Sequence, residues 1–196
     1  MPNEKADIRK SETPITPLIL GRWSPRALSG EKLSDEELAA LFEAAKWAPS
    51  AFNSQPWRFL YVKNGTPAWD KLFSTLAAAN KLWTEKAAVL VLLLSRKNFE
   101  YNDQPNPTAS FECGAAWENL ALEASARGLA AHAMSGFDHE AARVNFNIPD
   151  TYKLEAVIAL GRPGKKEELP ENMRTMESPS DRKKIGELAS EGEFKF

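Results

Sequence analysis

The chain has 196 residues, a net charge of −2, and an ordinary composition with 43% apolar and 27% charged residues. A chain of this length forms one domain, or two small ones, and buries a core without disulfides or a structural metal. Its single cysteine excludes an intramolecular disulfide and thiolate zinc sites, its two histidines are too few for a histidine-rich metal cage, and its small negative charge argues against a nucleic-acid-binding face.

The sequence also argues against membrane insertion and secretion. Its longest apolar run, residues 87–94, has eight residues, whereas a membrane helix needs about 20. The N-terminus is polar and has no apolar signal core. We therefore expect a cytoplasmic protein with neither a membrane nor a nucleic acid as its partner.

The first 30 residues predict an arm followed by a charged loop. Residues 1–17 are polar, contain Pro14 and Pro17, and are typical of an arm that is mobile or grips a partner. Residues 21–30 combine arginines, a tryptophan and a proline. We expect a loop or a single helical turn there.

Ser34 marks the start of a helix, because Glu37 three residues later completes a capping box. Apolar residues at helical spacing form its buried stripe: Leu38, Leu41, Phe42 and Ala45. Pro49 stops this helix. A polar loop at residues 50–56 leads to residues 57–62, whose aromatic and β-branched content predicts a strand.

A turn at Asn64 leads to a second amphipathic helix that begins near Ala68. Its apolar face comprises Trp69, Leu72, Phe73 and Leu76. Asn80 and Trp83 lie beyond this helix. The continuous apolar run at residues 87–95 predicts a strand that is buried on both faces.

The alanine-rich residues 108–127 predict a long central helix with Gly128 as its C-cap. Gly114 and the alanines indicate close packing against another helix. Residues 130–137 form a short segment with glycine and serine, and Asp138 is expected to cap the next helix.

Residues 153–160 predict a second apolar strand. The remaining residues, 162–196, mix basic and acidic side chains evenly, which is typical of a solvated or partner-contacting arm. The interleaved helices and strands predict an α/β or α+β sandwich around a small central sheet.

Common catalytic signatures are missing from the sequence. It has no Rossmann fingerprint, phosphate-binding P-loop or Gly-x-Ser-x-Gly elbow. Cys113 lies in the middle of the long predicted helix and is expected to be a buried, inert thiol. Surface or capping roles are expected for His132 and His139, with catalysis as the minor alternative.

Two segments carry concentrated polar chemistry. Arg22-Trp23-Ser24-Pro25-Arg26 offers two guanidinium groups and a hydroxyl within about one helical turn, which suits a ligand with a phosphate. The alternative is a surface turn whose arginines pair with nearby acids. Residues 49–57 form a rigid polar loop between a helix and a strand, a common form for a binding site. The alternative is a plain helix stop and strand start.

Together these segments resemble the nitroreductase family of FMN-dependent oxidoreductases. The resemblance rests on Arg-x-Ser-x-Arg followed by a capped helix that ends in Ala-Pro-Ser-x-x-Asn-x-Gln-Pro-Trp. Weaker features agree in order and extend the likeness over roughly residues 17–188: Asn80-x-x-Trp83, Ser135-Gly136-Phe137, Ala159-Leu160-Gly161-Arg162-Pro163 and Ser180-Asp181-Arg182-Lys183.

The resemblance implies an α+β fold, a three-layer sandwich whose central, mostly antiparallel sheet is flanked by helices. It also implies an intertwined homodimer with two FMN sites at the subunit interface. On this basis the chain divides into an N-terminal arm at residues 1–17, an FMN-binding core at residues 18–163, and a C-terminal arm at residues 164–196 that carries the late basic motif.

The resemblance further implies which residues bind the cofactor. They are Arg22, Trp23, Ser24, Arg26, Pro49, Ser50, Ala51, Asn53, Asn80, Ser135, Gly136 and Arg182. Residues 22–26 would hold the flavin from one subunit and residues 49–53 would reach it from the other. Arg22 and Arg182 would bind the phosphate, Arg26 would stabilise negative charge on the reduced flavin, and Trp23 would pack on the cofactor or on the partner.

The implied activity is a ping-pong reaction, in which FMN accepts a hydride from NADH or NADPH and then reduces a nitroaromatic, a quinone or another conjugated electrophile. No acid, base or metal is required. The alternatives are an FMN-binding or sensing module with little turnover, a relative that performs reductive dehalogenation, and a helical interaction protein without a cofactor.

Overall fold

The computed structural model describes residues 9–196, and a four-stranded sheet forms the centre of this part of the chain. The strands are β1 (Trp57–Lys63), β2 (Val89–Arg96), β3 (Ala130–Met134) and β4 (Tyr152–Gly161). Their order is β1-β2-β4-β3, and each neighbouring pair is antiparallel.

Helices cover both faces of this sheet. The α-helices within residues 9–196 are α1 (Pro17–Gly21), α2 (Asp35–Lys46), α3 (Pro67–Phe73), α4 (Ala78–Thr84), α5 (Ala109–Ala126), α6 (His139–Asn145) and α7 (Glu171–Arg174). Short 3-10 turns lie at Ala51–Asn53, Lys166–Glu168 and Ile185–Glu187.

The central strand β2 contributes alternate side chains to two apolar cores. Leu90 and Leu92 pack with α3, α4 and α6, whereas Val89 and Val91 pack with α2 and α5 on the other face. All of β2 except its last residue is buried. The predictions of a strand buried on both faces and of a three-layer α+β sandwich are therefore confirmed.

Local signals at the helix ends also gave correct predictions. The Ser34 hydroxyl accepts a hydrogen bond from the Glu37 N–H at 3.1 Å, and the Glu37 carboxylate accepts one from the Ser34 N–H at 2.8 Å. Helix α2 ends before Pro49. Gly128 follows α5 with a φ of 70°.

One predicted helix ends earlier than expected, and helices α1 and α4 were not predicted. Helix α3 ends at Phe73, and Leu76 instead forms a β-bridge with Phe137. Asn80 and Trp83 lie on a separate helix, α4, which the sequence analysis did not predict. Helix α1 begins at Pro17, the last residue of the expected N-terminal arm, and extends into the expected core. Of that arm, residues 1–8 lie outside the described residues.

Strand β3 was not predicted, because its sequence carries little β propensity. Three of its five residues are alanines, without the β-branched side chains that favour strands. Its pairing with β4, from Ala130 opposite Gly161 to Met134 opposite Val157, determines its conformation. Long-range pairing here overrides local preference.

The face of α5 that carries Gly114 is not packed within the protomer. Buried alanines of α5 lie in the core shared with α2, as predicted. Apart from its chain neighbours and the nearby backbone of α5 itself, no atom of the described residues lies within 4 Å of a Cβ placed on Gly114, and Phe111 on the same face is 82% exposed. The prediction that Gly114 packs closely against another helix is therefore wrong for residues 9–196 of a single protomer.

No helix within residues 9–196 is long and apolar enough to cross a membrane. The same part of the chain contains no group of three or more histidine, cysteine, aspartate or glutamate side chains arranged to hold a metal ion.

Cys113 should be chemically inert in the folded protein. It is 1% exposed, and burial raises the pKa of its thiol to about 12, with Glu155 and Glu112 adding to the effect. We expect Ellman's reagent at mildly alkaline pH to leave the native protein unmodified, because both access and thiolate are lacking. The same reagent should modify one thiol per chain in concentrated guanidinium chloride. Rapid modification of the native protein would contradict this assignment.

Candidate functional site

A cavity of about 340 Å³, the arginine cavity, brings together cationic side chains from distant parts of the chain. It is lined by Arg9, Arg22, Trp23, Ser24, Arg26, His132, Met176, Ser178, Ser180 and Arg182. Its volume lies within the usual range of small-molecule sites. Five of the twelve residues expected to bind a cofactor therefore border one space.

Like charges crowd this cavity. Burial first, and then the guanidinium groups of Arg182 and Arg22, lower the pKa of Arg9 below its usual value, while Asp181 opposes the shift. The Nη1 group of Arg9 donates to the carbonyls of Leu20 and Arg22 at 3.1 and 2.7 Å. Its buried Nε–H has no partner among the described residues. An anion in the cavity would relieve the repulsion and supply acceptors.

Residues 22–27, the arginine loop, carry Arg22, Ser24 and Arg26 into the cavity without any helix or strand of their own. The end of the loop is fixed by the segment that leaves β4. The Gly164 N–H donates to the Ala27 carbonyl at 2.8 Å. A Cβ on residue 164 would lie 2.5 Å from the carbonyl carbon of Leu28, so this close approach requires glycine.

The same end of the arginine loop is also held by a buried carboxylate, Glu177, which is 8% exposed. The N–H of Arg26 donates to its two oxygens at 2.9 and 3.1 Å, and the N–H of Ala27 donates at 2.9 Å. Sequence analysis missed Glu177, because one glutamate in a mixed-charge arm carries no local signal.

His132 contacts the middle of the loop. It lies on β3 with its Nδ1 atom 3.2 Å from the Pro25 carbonyl, and its ring contacts Trp83 with a centroid distance of 4.6 Å. Burial lowers the pKa of His132 to about 4; hydrogen bonds to the Pro25 and Ser24 carbonyls oppose this shift, and Arg26 and Arg22 add to it.

His132 is therefore neutral near pH 7. Because only an N–H can pair with a carbonyl, the Nδ1 atom carries the proton and donates to Pro25. The expected surface or capping role is wrong for His132, since the residue is half-buried and borders the cavity. The sequence could not predict this role, because the strand that places His132 beside the cavity, β3, was itself not predicted.

Asn80, Ser135 and Gly136 form a neighbouring group that does not border the arginine cavity. The Nδ2 group of Asn80 donates to the Gly136 carbonyl at 2.9 Å, and a Cβ on Gly136 would lie 2.8 Å from that nitrogen. Ser135 is exposed. This group lies close in sequence to the His132–Trp83 contact, since Asn80 precedes Trp83 by one helical turn and Ser135 follows His132 by three residues.

The other predicted segment, residues 49–56, lies away from the arginine cavity, and we call it the proline loop. It borders a second cavity of about 400 Å³, which is lined by Phe52, Asn53, Ser54, Gln55, Arg58, Glu100 and Tyr101. Pro49, Ser50 and Ala51 belong to the same loop but line neither cavity. Within one protomer, the two predicted segments do not share a site.

The proline loop has an unusual backbone. Phe52, Asn53 and Gln55 all adopt left-handed conformations, with φ values of 53°, 53° and 46°. Such values strain a bulky residue like phenylalanine, and strain of this kind concentrates at functional sites. The ring of Phe52 is 81% exposed and lies 5.9 Å from the ring of Phe99 and 6.1 Å from that of Tyr101.

A second buried carboxylate, Glu112, anchors this strained loop to the start of α5. Glu112 is 4% exposed and accepts hydrogen bonds from the Ala51 N–H at 2.8 Å and the Thr108 hydroxyl at 2.6 Å, with a longer contact from Ser54 at 3.4 Å. Sequence analysis missed Glu112 as well. Its only signal was an acidic residue in the first turn of an alanine-rich helix.

The profile of the Nitroreductase family matches residues 19–67 and 66–162 of the chain. A candidate NADH dehydrogenase/NAD(P)H nitroreductase of Streptomyces coelicolor is 32% identical over 154 residues, which cover 68% of this chain and 77% of that protein.

Solved structures are similar over almost the whole chain. A crystal structure described as an oxidoreductase containing FMN has a TM-score of 0.91 and 39% identity, and the match covers 95% of this chain and 96% of the other. A candidate nitroreductase in complex with FMN from Desulfovibrio desulfuricans has a TM-score of 0.75 and 26% identity, with coverage of 94% and 100%.

The half-buried, neutral His132 should make stability depend on pH. Because its pKa falls from the ordinary 6.5 to about 4 on folding, the unfolded chain binds an extra proton between these values. The free energy of unfolding should therefore decrease as the pH falls through this window, by at most about 3 kcal/mol from this group. In urea unfolding at neutral and acidic pH, His132→Asn should lose this component of the decrease.

His139→Asn is the matched control, since His139 is exposed. It should keep the pH dependence of the unmodified protein. An equal pH dependence in His132→Asn and the unmodified protein would contradict the assignment.

Proposed function

Because the chain belongs to the nitroreductase family of FMN-dependent NAD(P)H oxidoreductases, we propose that it uses NADH or NADPH to reduce a nitroaromatic, a quinone or another conjugated electrophile in a ping-pong reaction. The observation that carries this proposal is the arginine cavity, where guanidinium groups from both ends of the described chain surround one space. FMN, when bound, supplies the hydride acceptance and donation.

The residues of the arginine cavity fit the phosphate of FMN. A phosphate monoester carries nearly two negative charges near neutral pH and offers several acceptor oxygens. Arg22, Arg182 and the Ser24 hydroxyl would bind it, and the unpartnered Nε–H of Arg9 adds a donor. Arginine forks suit such oxygens because they donate paired hydrogen bonds.

The remaining residues would orient and tune the cofactor. The guanidinium group of Arg26 would stabilise the negative charge that hydride transfer leaves on the flavin ring. Asn80 and the backbone of Ser135 and Gly136 would bind the ring edge or the ribityl chain. Trp23 borders the cavity and would pack on the cofactor or on the partner.

We propose that the functional unit is a homodimer, in which the proline loop of one subunit completes the arginine cavity of the other. Two observations support this arrangement. The two segments lie apart within a protomer, and α5 leaves Phe111 and Gly114 on an uncovered face. Apolar side chains of the C-terminal arm are also exposed, among them Ile185, Leu188, Phe194 and Phe196.

The aromatic cluster beside the proline loop would contact the electron acceptor. Phe52, Phe99 and Tyr101 lie within 6.1 Å of one another by ring centroids, and Phe52 and Tyr101 are exposed. Exposed aromatic faces stack on flat conjugated molecules. This cluster therefore supports an aromatic or quinonoid acceptor.

The absorption spectrum of the purified protein tests the proposed function directly. We expect visible flavin bands that bleach when NADH or NADPH is added anaerobically and return when a quinone or nitroaromatic is added. Bands that persist with both donors would favour a module that stores or senses FMN. A colourless protein that also fails to bind added FMN would overturn the proposal.

Mixed dimers test whether each site draws on two subunits. Arg22→Ala removes a phosphate contact and should weaken FMN binding by about tenfold to a hundredfold. Asn53→Asp should also weaken FMN binding, because it places a negative charge on the proline loop, which forms the other half of the proposed site. In a heterodimer of an Arg22→Ala subunit with an Asn53→Asp subunit, one FMN site contains both substitutions and the other FMN site contains neither. Differentially tagged, co-expressed dimers should therefore bind one FMN tightly.

The control is Arg127→Ala, since Arg127 is exposed and pairs with Glu123 at the end of α5. It should bind FMN as the unmodified protein does. Mixed dimers that bind no better than either parent would place both segments at a site within one subunit and refute the shared arrangement.

A further inference from the structure

Glu177 is the last buried residue of the chain. Beyond it, residues 178–196 are exposed except for the half-buried Pro179. Ser178, Ser180 and Arg182 nevertheless border the arginine cavity. The segment that carries them is thus attached to the folded core at Glu177.

Arg182 does not fix its own position. Its Nη1 group donates to the carbonyl and hydroxyl of Ser180 and to the carbonyl of Asp181, at 3.0 to 3.1 Å. All three acceptors belong to the same short segment. A further tether, from the Ile185 N–H to the Glu12 carboxylate at 2.7 Å, lies between exposed residues.

The Glu177 carboxylate contacts backbone N–H groups rather than cations. It receives three hydrogen bonds from the N–H groups of Arg26 and Ala27, and it forms no ion pair with any lysine or arginine of residues 9–196. Backbone donors therefore compensate its burial. Glu177 therefore neutralises none of the guanidinium groups of the cavity, and the carboxylate that pairs with Arg22, at 3.2 Å, is that of Glu118 on α5.

We propose that Glu177 is a positioning residue that latches the C-terminal segment onto the arginine loop and so brings Arg182 to the phosphate of FMN. The proposal rests on the proposed function, because that function supplies the anionic ligand. A single carboxylate then sets the relative position of Arg26, near one end of the chain, and Arg182, near the other.

Glutamine is the informative substitution at this position. Glu177→Gln keeps the size of the side chain, but its amide has one acceptor oxygen, and its NH2 group would face a backbone N–H. The latch should therefore loosen while the apolar core stays intact. Once the latch is loose, Arg182 should contribute little to FMN binding.

The test is a double-mutant cycle on FMN affinity, measured by titrating the apoprotein and following flavin fluorescence. We expect Glu177→Gln and Arg182→Ala each to weaken binding by about tenfold, and the double variant to weaken it by little more than either alone. If the two residues contributed independently, the double variant would bind FMN about a hundredfold more weakly than the unmodified protein. A multiplicative loss would overturn the latch.

Riboflavin separates positioning from general damage to the site, because it lacks the phosphate. Glu177→Gln should weaken FMN binding several-fold more than riboflavin binding. Equal weakening of both ligands would refute the proposed role. The matched control is Glu12→Gln, which makes the same charge-neutralising change at the exposed tether and should leave FMN affinity nearly unchanged.

A decrease in the free energy of unfolding of the Glu177→Gln apoprotein would reveal misfolding of that variant. A second variant therefore tests the proposal without changing Glu177. Inserting two glycines between Glu177 and Ser178 keeps the hydrogen bonds of Glu177 but lengthens the link to Arg182. It should weaken FMN binding to about the level of Arg182→Ala, and unchanged binding would overturn the proposal. Failure of the unmodified apoprotein to bind FMN at all would instead refute the proposed function.

Discussion

The arginine loop has no helix or strand of its own, so its backbone groups must find partners elsewhere in the chain. This need explains much of what surrounds it. The exit of β4 binds one end of the loop, His132 on β3 donates to its middle, and Glu177 accepts from Arg26 and Ala27. The loop is thus an irregular segment held rigid by three distant parts of the fold, and rigid support is what a binding site requires.

The two halves of the proposed site use the same physical device. In each, a buried carboxylate outside an irregular segment accepts backbone hydrogen bonds from it: Glu177 from Arg26 and Ala27 of the arginine loop, and Glu112 from Ala51 of the proline loop. Hydrogen bonds to an ionised acceptor stabilise by about 1.5–3 kcal/mol each, which is comparable with the cost of about 1–3 kcal/mol for one left-handed residue such as Phe52. Carboxylates that bind backbone can fix a loop without neutralising the arginines beside it.

The sequence predicted the features that depend on neighbouring residues, and it did not predict those that depend on contacts between distant residues. The Ser34–Glu37 capping box and the apolar runs of β2 and β4 are local signals, and they predicted α2 and two strands correctly. Strand β3 depends on pairing with β4, and the roles of His132 and Glu177 depend on contacts with residues more than 100 positions away. No pattern along the chain encodes those contacts. The family likeness pointed to Arg22, Arg26 and Arg182, and it pointed to neither buried carboxylate.

The crowding of guanidinium groups has a consequence for handling the protein. A cavity in which burial and neighbouring guanidinium groups lower the pKa of Arg9 favours any small dianion of suitable size. Inorganic phosphate and sulfate offer the same charge and tetrahedral oxygens as the phosphate of a nucleotide. Buffer composition would therefore act as a competitor, so that affinities measured in phosphate and in a zwitterionic buffer describe two different equilibria.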